Sequence, residues 1–403
     1  MDLSVIIVNF NVRYYLEQCL YSVIRAAENI ECEIIVIDNN SSDDSCLMVN
    51  SLFPSVRLIR NISNEGFAKA CNQGLKAAEG EFILMLNPDT IVGEETFSKC
   101  ISFMQSHPDA GAMGVKMADG CGRYLRESKR SIPYPAAAFY KMTGLTRLFS
   151  RSPVFSRYYM EHLDADNTSQ IEVLPGAFMF LRKSTLDTVG LFDEDYFMYG
   201  EDIDLSCRIL KAGLKIYYYP EVTIIHYKGK SSGKNPVKSV VSFYRAMLIF
   251  TKKYFSGSMP LLYYLFLRIS VYSASGAGIL LKLTRHFFTH IFSAGTNSEK
   301  SYLKDLYKVK SPVLIAANRE SFKTITEKIK KADIKITVAG RTGMQEDEPD
   351  NEIKGDIGNL NEIIRSVKAK SVIFSVKSLG LTAVINTADS ITETQTCKCI
   401  VPD

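Results

Sequence analysis

Glu201 and Asp202 are adjacent carboxylates that follow Gly200 and open a helical run, Ile203–Ala212. At the floor of a pocket lined by Phe197, Met198 and Tyr199, such a carboxylate could take the proton of an incoming hydroxyl. Acids in a first helical turn also stabilise any helix through its dipole, by about 0.3–1 kcal/mol, so the pair alone supports either role. Another carboxylate, Asp89, stands in Asn87-Pro88-Asp89, just after the unbroken apolar run Phe82–Leu86. Pro88 cannot donate to a ladder, so strand pairing should stop there. Asp89 then lies at the carboxyl end of a buried strand, the edge at which open α/β sheets bind ligands. A divalent cation bridging a diphosphate takes one or two such carboxylates; a solvated Asp after an Asn-Pro turn is the plainer alternative. Asp38 ends the run Glu33–Ile37 and opens the polar cluster Asp38–Asp44. That cluster serves either as a capped turn or as a contact for a ribose or base. His226 follows Val222–Ile225 in a Lys- and Gly-rich loop, where an imidazole suits a phosphate or a metal.

These residues need a frame of strands and helices. Ser4–Phe10, Glu33–Ile37 and Val56–Arg60 are apolar runs of strand length, and Leu16–Ala27 puts Leu16, Leu20, Val23 and Ile24 on one helical face. Asn64-Glu65-Gly66-Phe67 leads into a helix over Ala68–Ala78 that contains Asn72 and Gly74, with Gly80 as its cap. Gly66 permits a tight turn, and the N–H groups behind it could meet phosphate. Phe82–Leu86, a helix over Glu94–Gln105 and a strand near Gly111–Val115 continue the alternation. Val173–Leu181 is a further strand carrying Pro175-Gly176, Arg182 starts a helix, and Lys215–Tyr219 and Val222–Ile225 are two short strands. Strand, helix, strand in this order makes βαβ units on a parallel sheet. The glycine fingerprint of a dinucleotide site is missing.

With 403 residues the chain has room for two or three domains. Its net charge of +4 says less than the distribution. No Asp or Glu occurs from His226 to Ser298, where Lys228, Lys252, Lys253, Arg268, Lys282 and Arg285 are among the cations. Such a block reads as contact with an anionic surface, nucleic acid or lipid headgroups. Within it Ser239–Tyr254 is an amphipathic helix and Pro260–Leu281 is apolar over about the length of a membrane span. A spanning helix, an interfacial segment and a buried core helix all fit; monotopic attachment is the preferred reading. The stretch Gly120–Arg157, with Arg123, Arg126, Lys129 and Arg130 against the single acid Glu127, is either a solvated basic loop or a flap on an anionic acceptor. After the polar linker Gly295–Lys300 a second α/β pattern starts at Ser311, with strands Val313–Ala316, Ile334–Val338, Ser371–Ser375 and Lys398–Val401. Its first turn, Ala316-Ala317-Asn318-Arg319, lacks the glycines a pyrophosphate requires, so a docking or oligomerisation module is expected in place of a second active site. The cysteines are scattered, Cys397-Lys-Cys399 has no second pair for zinc, and reduced thiols in a cytosolic setting are expected. The chain opens on a strand and shows no signal peptide.

Seven stretches together resemble the family-2 inverting glycosyltransferases of the GT-A fold, in their rhamnosyltransferase-like branch. They are Val5–Asn11, Val36–Ser45, Asn64–Gly74, Leu86–Thr90, Pro175–Ser184, Phe192–Arg208 and His226–Ser232. The resemblance, carried by the first part of the chain, implies an α/β GT-A Rossmann-like nucleotide-sugar domain (1–234), and the composition and patterns above add a helical membrane-associating segment (235–298) and a small Rossmann-like α/β domain (311–403). The last looks similar to the nucleotide-binding-like domain of polyprenyl-phosphate sugar transferases. Asp202 would be the catalytic base, paired with Glu201, and Asp89 with His226 would hold a divalent metal, Mg2+ or Mn2+. Asn9, Asp38, Asn40, Asn64, Gly66, Asn72, Asn87 and Gly176 would contact the donor. Two positions depart from the pattern. Asn87 stands where many members have Asp, and Cys71 where some have Arg, which leaves Lys69 or Lys228 to meet the diphosphate. The expected function is transfer of a sugar from a nucleotide-sugar donor to a lipid-linked or polysaccharide acceptor in surface-polysaccharide synthesis. The setting is the cytoplasmic face of a bacterial inner membrane, monotopic or single-pass, with no nucleic-acid partner and a homo-oligomer formed through the C-terminal domain. A nucleotidyltransferase is the enzyme alternative, but Asn9-Phe10-Asn11-Val12 is not its Gly-rich loop. An inactive sugar-nucleotide-binding scaffold is the other.

Overall fold

The computed structural model describes residues 1–133, 157–227, 236–255, 311–331, 336–343, 352–380, 383–384, 387 and 397–401. Pro260–Leu281, the linker Gly295–Lys300, most of the acidic loop Gln345–Glu352 and the end of the basic stretch Gly120–Arg157 lie outside them.

The first sheet is built on β1 (Leu3–Asn9), whose seven residues are all buried. Successive strand side chains point to opposite faces. Accordingly Leu3, Val5 and Ile7 enter one apolar core while Ile6 and Val8 enter the other. A strand buried on both faces is what its unbroken apolar run requires. Parallel neighbours β2 (Cys32–Asp38), β3 (Arg57–Arg60) and β4 (Phe82–Leu86) give the order β3-β2-β1-β4. Helices α1 (Arg13–Ala26), α2 (Ser45–Leu52) and α3 (Phe67–Ala77) make the connections. Beyond β4 come β8 (Phe178–Arg182), β6 (Ala110–Ala118) and β9 (Lys215–His226). Two-residue β5 (Thr90–Ile91) pairs antiparallel with β9. Helix α4 (Thr96–Ser106) precedes β6, α5 (Lys183–Val189) follows β8, and α6 (Glu201–Lys211) precedes β9.

Three local expectations are corrected. The strand expected over Val173–Leu181 forms only from Phe178, because Pro175-Gly176 interrupts it; Val173 makes an isolated bridge to Arg130. Lys215–Tyr219 and Val222–Ile225 are one strand, not two, and Pro220 sits where the register against β6 shifts between Val115 and Lys116. A bulge is where a strand tolerates proline. Gly80 is not the cap of α3, which ends on Ala78; a Cβ at Gly80 would stand 2.6 Å from the Ser4 nitrogen, so the glycine permits close passage over β1.

The C-terminal sheet is parallel throughout, in the order β12-β11-β10-β13-β14. Its strands are β10 (Val313–Ala316), β11 (Val338–Gly343), β12 (Ile353–Asp356), β13 (Ser371–Ser375) and β14 (Cys397–Val401). Strand order 3-2-1-4-5 is the doubly wound arrangement. The strand expected to end at Val338 instead starts there, and β12 was not foreseen. Gly340 explains the weak pattern: a Cβ there would lie 2.6 Å from the Glu352 carbonyl oxygen, so close strand packing removes the side chain that would have marked a strand. The two domains touch. Val12, Tyr15, Ile91, Ile225 and Tyr227 share one apolar cluster with Leu314, Leu360, Phe374 and Val384.

Helix α7 (Pro236–Phe255) follows the first domain and packs Ala246 and Phe250 against Tyr196 and Cys207. Among the described residues no helix is long and apolar enough to cross a membrane.

Candidate active site

The ends of β1 and β2 set the first part of the site. Asn9 and Asp38 are register partners, and the Asn9 amide donates to Asp38 Oδ1 (2.8 Å) and to Ser41 Oγ (3.0 Å). The Ser41 N–H donates to Asp38 Oδ2 at 2.9 Å. Each oxygen of this buried carboxylate thus accepts one bond here, and an ionised carboxylate has about four acceptor sites in all. Asn40 is exposed with a left-handed φ of 66°. Its neighbour Asn39, absent from the sequence expectation, is buried and organises the loop. It donates to Asn64 Oδ1 and the Gly66 carbonyl, each at 3.1 Å, and accepts from the Glu65 N–H at 3.0 Å. In an Asp-Asn-Asn triplet only burial separates the two amides, and sequence does not carry it.

Gly66 and Asn72 act differently from expectation. Gly66 has φ 91°, and a Cβ there would lie 2.7 Å from the Phe197 carbonyl oxygen. That same carbonyl accepts the Phe67 N–H at 2.7 Å. One N–H at the head of α3 is therefore occupied by the chain itself and does not face a phosphate. Asn72 is buried; its amide donates to the Phe192 carbonyl and Glu194 Oε1, both at 2.9 Å, and accepts the Phe192 N–H at 3.0 Å. Together they tie α3 to the loop ahead of α6. Lys69 is held by Glu65 at 2.5 Å, and Cys71 is fully buried with its thiol pushed up by desolvation. Neither side chain replaces the missing arginine, and Lys228 lies outside the described residues.

Asp89 and His226 are brought together across the sheet. The Asn87 N–H donates to the Ala177 carbonyl at 3.0 Å, and the Asn87 carbonyl accepts the Thr90 hydroxyl at 2.7 Å, so the chain turns at once into β5. Thr90 pairs with His226, the Tyr227 N–H donates to the Asp89 carbonyl at 2.9 Å, and His226 Nε2 stands 3.4 Å from Asp89 Oδ1. Both residues are buried, and His226 Nδ1 makes no hydrogen bond. One carboxylate beside one imidazole suits a divalent cation whose other positions go to water and diphosphate oxygens. Among the described residues no cluster of three or more protein ligands occurs.

The adjacent carboxylates stand at the head of α6. Gly200, in left-handed backbone, precedes the helix and places Glu201 and Asp202 in its buried first turn. Asp202 Oδ1 accepts the Ile203 N–H at 2.8 Å and Oδ2 accepts the Gly176 N–H at 3.2 Å. Gly176 therefore orients the carboxylate. Arg130 also donates to Oδ2, and its Nη2 reaches the Leu174 carbonyl at 2.6 Å. Sequence placed Arg130 only in a basic stretch and gave no sign of this bond. Glu201 Oε2 is buried without a hydrogen bond. Burial first, and then the charge of Asp202, push its carboxyl up to about 8. Burial thus favours the protonated form of Glu201, while Asp202 beside it is held by three donors, the Ile203 N–H, the Gly176 N–H and Arg130.

Comparisons with known proteins point to one family. The Glycosyl transferase family 2 model matches residues 4–190. The N-acetylglucosaminyl-diphospho-decaprenol L-rhamnosyltransferase of Mycobacterium tuberculosis is 27% identical over 266 residues, covering 63% of this chain and 85% of that protein. Rhamnosyltransferase WbbL of Escherichia coli is 29% identical over 152 residues, covering 38% of this chain and 54% of that protein. Among solved structures, TarS 1-349 of S. aureus aligns with a TM-score of 0.42 and 18% identity, covering 66% of this chain and 68% of that one. The chain is thus an enzyme of the glycosyltransferase type, similar over residues 4–190 to glycosyl transferase family 2 and over 266 residues to a rhamnosyltransferase.

Proposed function

We propose that the enzyme moves a rhamnosyl or other hexosyl unit, with inversion, from a nucleoside-diphosphate donor to a hydroxyl of a lipid-linked or polysaccharide acceptor. The observation that carries this reading is the placement of Asp202, a carboxylate oriented by the Gly176 and Ile203 N–H groups at the head of α6 beside Glu201. Asp202 takes the acceptor hydroxyl proton as that oxygen bonds to the anomeric carbon. The anomeric carbon–oxygen bond to the diphosphate breaks, and the bonding pair leaves with the nucleoside diphosphate. A single base attacking through the acceptor gives one displacement and inversion. Asp38 and Asn9 form the nucleoside end of the donor site. Asp89 and His226 would hold the divalent cation, Mg2+ or Mn2+, whose charge offsets that of the leaving diphosphate. A screen of nucleotide sugars with and without Mn2+, with NMR of the anomeric configuration of the product, tests this. A retained configuration overturns the single displacement.

We also propose attachment to the cytoplasmic face of the bacterial inner membrane through the basic, apolar segment after α7. The support is its composition, since Pro260–Leu281 lies outside the described residues. One flanking cation is already committed: Lys253 pairs with Asp193 at 2.5 Å and with Asp204 at 2.7 Å, so Lys252, Lys282 and Arg285 carry the attraction to lipid. Deleting Gly257–Ser293 should turn a membrane-sedimenting protein into one that stays in the supernatant.

A further inference from the structure

We propose that Arg130 is the positioning residue that assigns the base role to Asp202: it anchors one oxygen of that carboxylate and leaves the other oxygen to the acceptor. This rests on the reading of Asp202 as the base. The geometry is specific. Arg130 and Asp202 form an ion pair whose side chains are only 13% and 12% exposed. The guanidinium contacts Oδ2, the oxygen that the Gly176 N–H also reaches. Oδ1 is held by the Ile203 N–H and keeps a second lone pair. A base needs one such acceptor site and a fixed carboxylate plane, and this arrangement supplies both.

Arg130 is itself held against movement. Its carbonyl accepts the Val173 N–H at 3.0 Å, its Nη2 reaches the Leu174 carbonyl at 2.6 Å, and the adjoining Ser131 N–H donates to the Tyr158 carbonyl at 2.9 Å. The guanidinium is therefore delivered from the basic stretch through a bridge to the segment that also carries Gly176. The charged and titratable groups around the carboxylate are Arg130, Glu201 beside it on the helix, and Tyr158 on the far side of the guanidinium. Tyr196, from the loop before the helix, feels the charge of Asp204 first and that of Glu201 least. Arg130 is the cation of that set. Without it, two buried neighbouring carboxyls share one site, and like charges there cannot both ionise. Removing the guanidinium would leave Asp202 without its charged anchor beside Glu201.

The test is the pH profile of kcat/KM for wild type, Arg130→Gln and Arg130→Lys, with Asp202→Asn as reference. Removing a neighbouring guanidinium raises a carboxylate by about 1–3 pH units, so the acid limb of Arg130→Gln should move up by that amount. Arg130→Lys, which keeps the charge, should return the limb toward wild type. Transfer surviving in Asp202→Asn sinks the base assignment itself. An inactive Asp202→Asn together with an unmoved limb in Arg130→Gln leaves the base in place and overturns the role of Arg130. Should Arg130→Gln fail to fold, infrared spectra of the protein at neutral pH decide. A protonated-carboxyl band that vanishes in Glu201→Gln and persists in Asp202→Asn supports the assignment, and the reverse overturns it.

Discussion

His226 Nε2 stands 3.4 Å from Asp89 Oδ1 because Thr90 and His226 are antiparallel partners at the meeting of β5 and β9. Two residues separated by most of the domain become one corner through a two-residue strand. If the pair holds a divalent cation as proposed, the two side chains contribute jointly. Asp89→Ala should abolish the metal-dependent part of nucleoside-diphosphate binding. His226→Gln should weaken it by roughly 10- to 100-fold, the range seen when a metal's supporting residues are altered. Calorimetric titration with and without Mn2+ reads both effects, and an unchanged metal dependence in either variant removes that residue from the corner.

Asp202→Asn keeps the shape of the side chain and removes its basicity. Transfer should fall by about 10²–10⁴-fold, the usual contribution of a general base, while donor affinity stays near wild type. A parallel loss of donor binding would instead place Asp202 on the nucleotide.

Much of the first domain could be read from its chain, and the reason is visible in β1. Strands buried on both faces leave continuous apolar runs, and Val5–Val8 lies in such a run. Asp38 and Asp89 stand where those runs stop, so their place on the sheet edge followed from the pattern. Contacts across the fold did not. Asn72 looked like a donor ligand, but its partners Phe192 and Glu194 lie more than a hundred positions away. Arg130 meets Asp202 over a separation of 72 residues. Periodicity reports which face a residue occupies and carries no information about which distant group shares that face. Strand β11 was misplaced for a related reason: its glycines record the closeness of a neighbouring backbone that only the folded chain supplies.

Glu201 predicts a pH dependence of stability. Its folded value, about 8, lies above the ordinary 4.5, with burial the larger cause and the Asp202 charge the second. The folded state thus favours the protonated form. This contribution is full below pH 4.5, declines as pH rises toward about 8, and is absent above it. Glu201→Gln cannot ionise and has no such decline. The melting temperature of wild type minus that of Glu201→Gln should therefore fall between pH 5 and pH 8 and level off beyond. A flat difference across this range would mean that Glu201 is ionised at neutral pH.

Helix α6, which carries Asp202, is also clamped to α7, and the clamp centres on Asp204. This carboxylate is fully buried and accepts from Arg208 Nε at 2.9 Å and the Tyr254 hydroxyl at 2.8 Å, while Lys253 Nζ lies 2.7 Å away. Two of those three partners sit at the end of α7, the helix that leads into the basic, apolar segment. The partners differ in exposure. The Lys253 side chain is 37% exposed, so its loss is screened by water and Lys253→Ala should lower stability by about 1 kcal/mol or less. Asp204→Ala removes the buried centre and leaves a guanidinium, an ammonium and a phenol without it, a change of about 3–5 kcal/mol by analogy with breaking a buried pair from one side. Amide exchange should accelerate across Pro236–Phe255 in Asp204→Ala and stay near wild type in Lys253→Ala. Equal effects of the two substitutions on stability and exchange would show that the clamp is a surface ion pair and does not hold α7 to the catalytic helix.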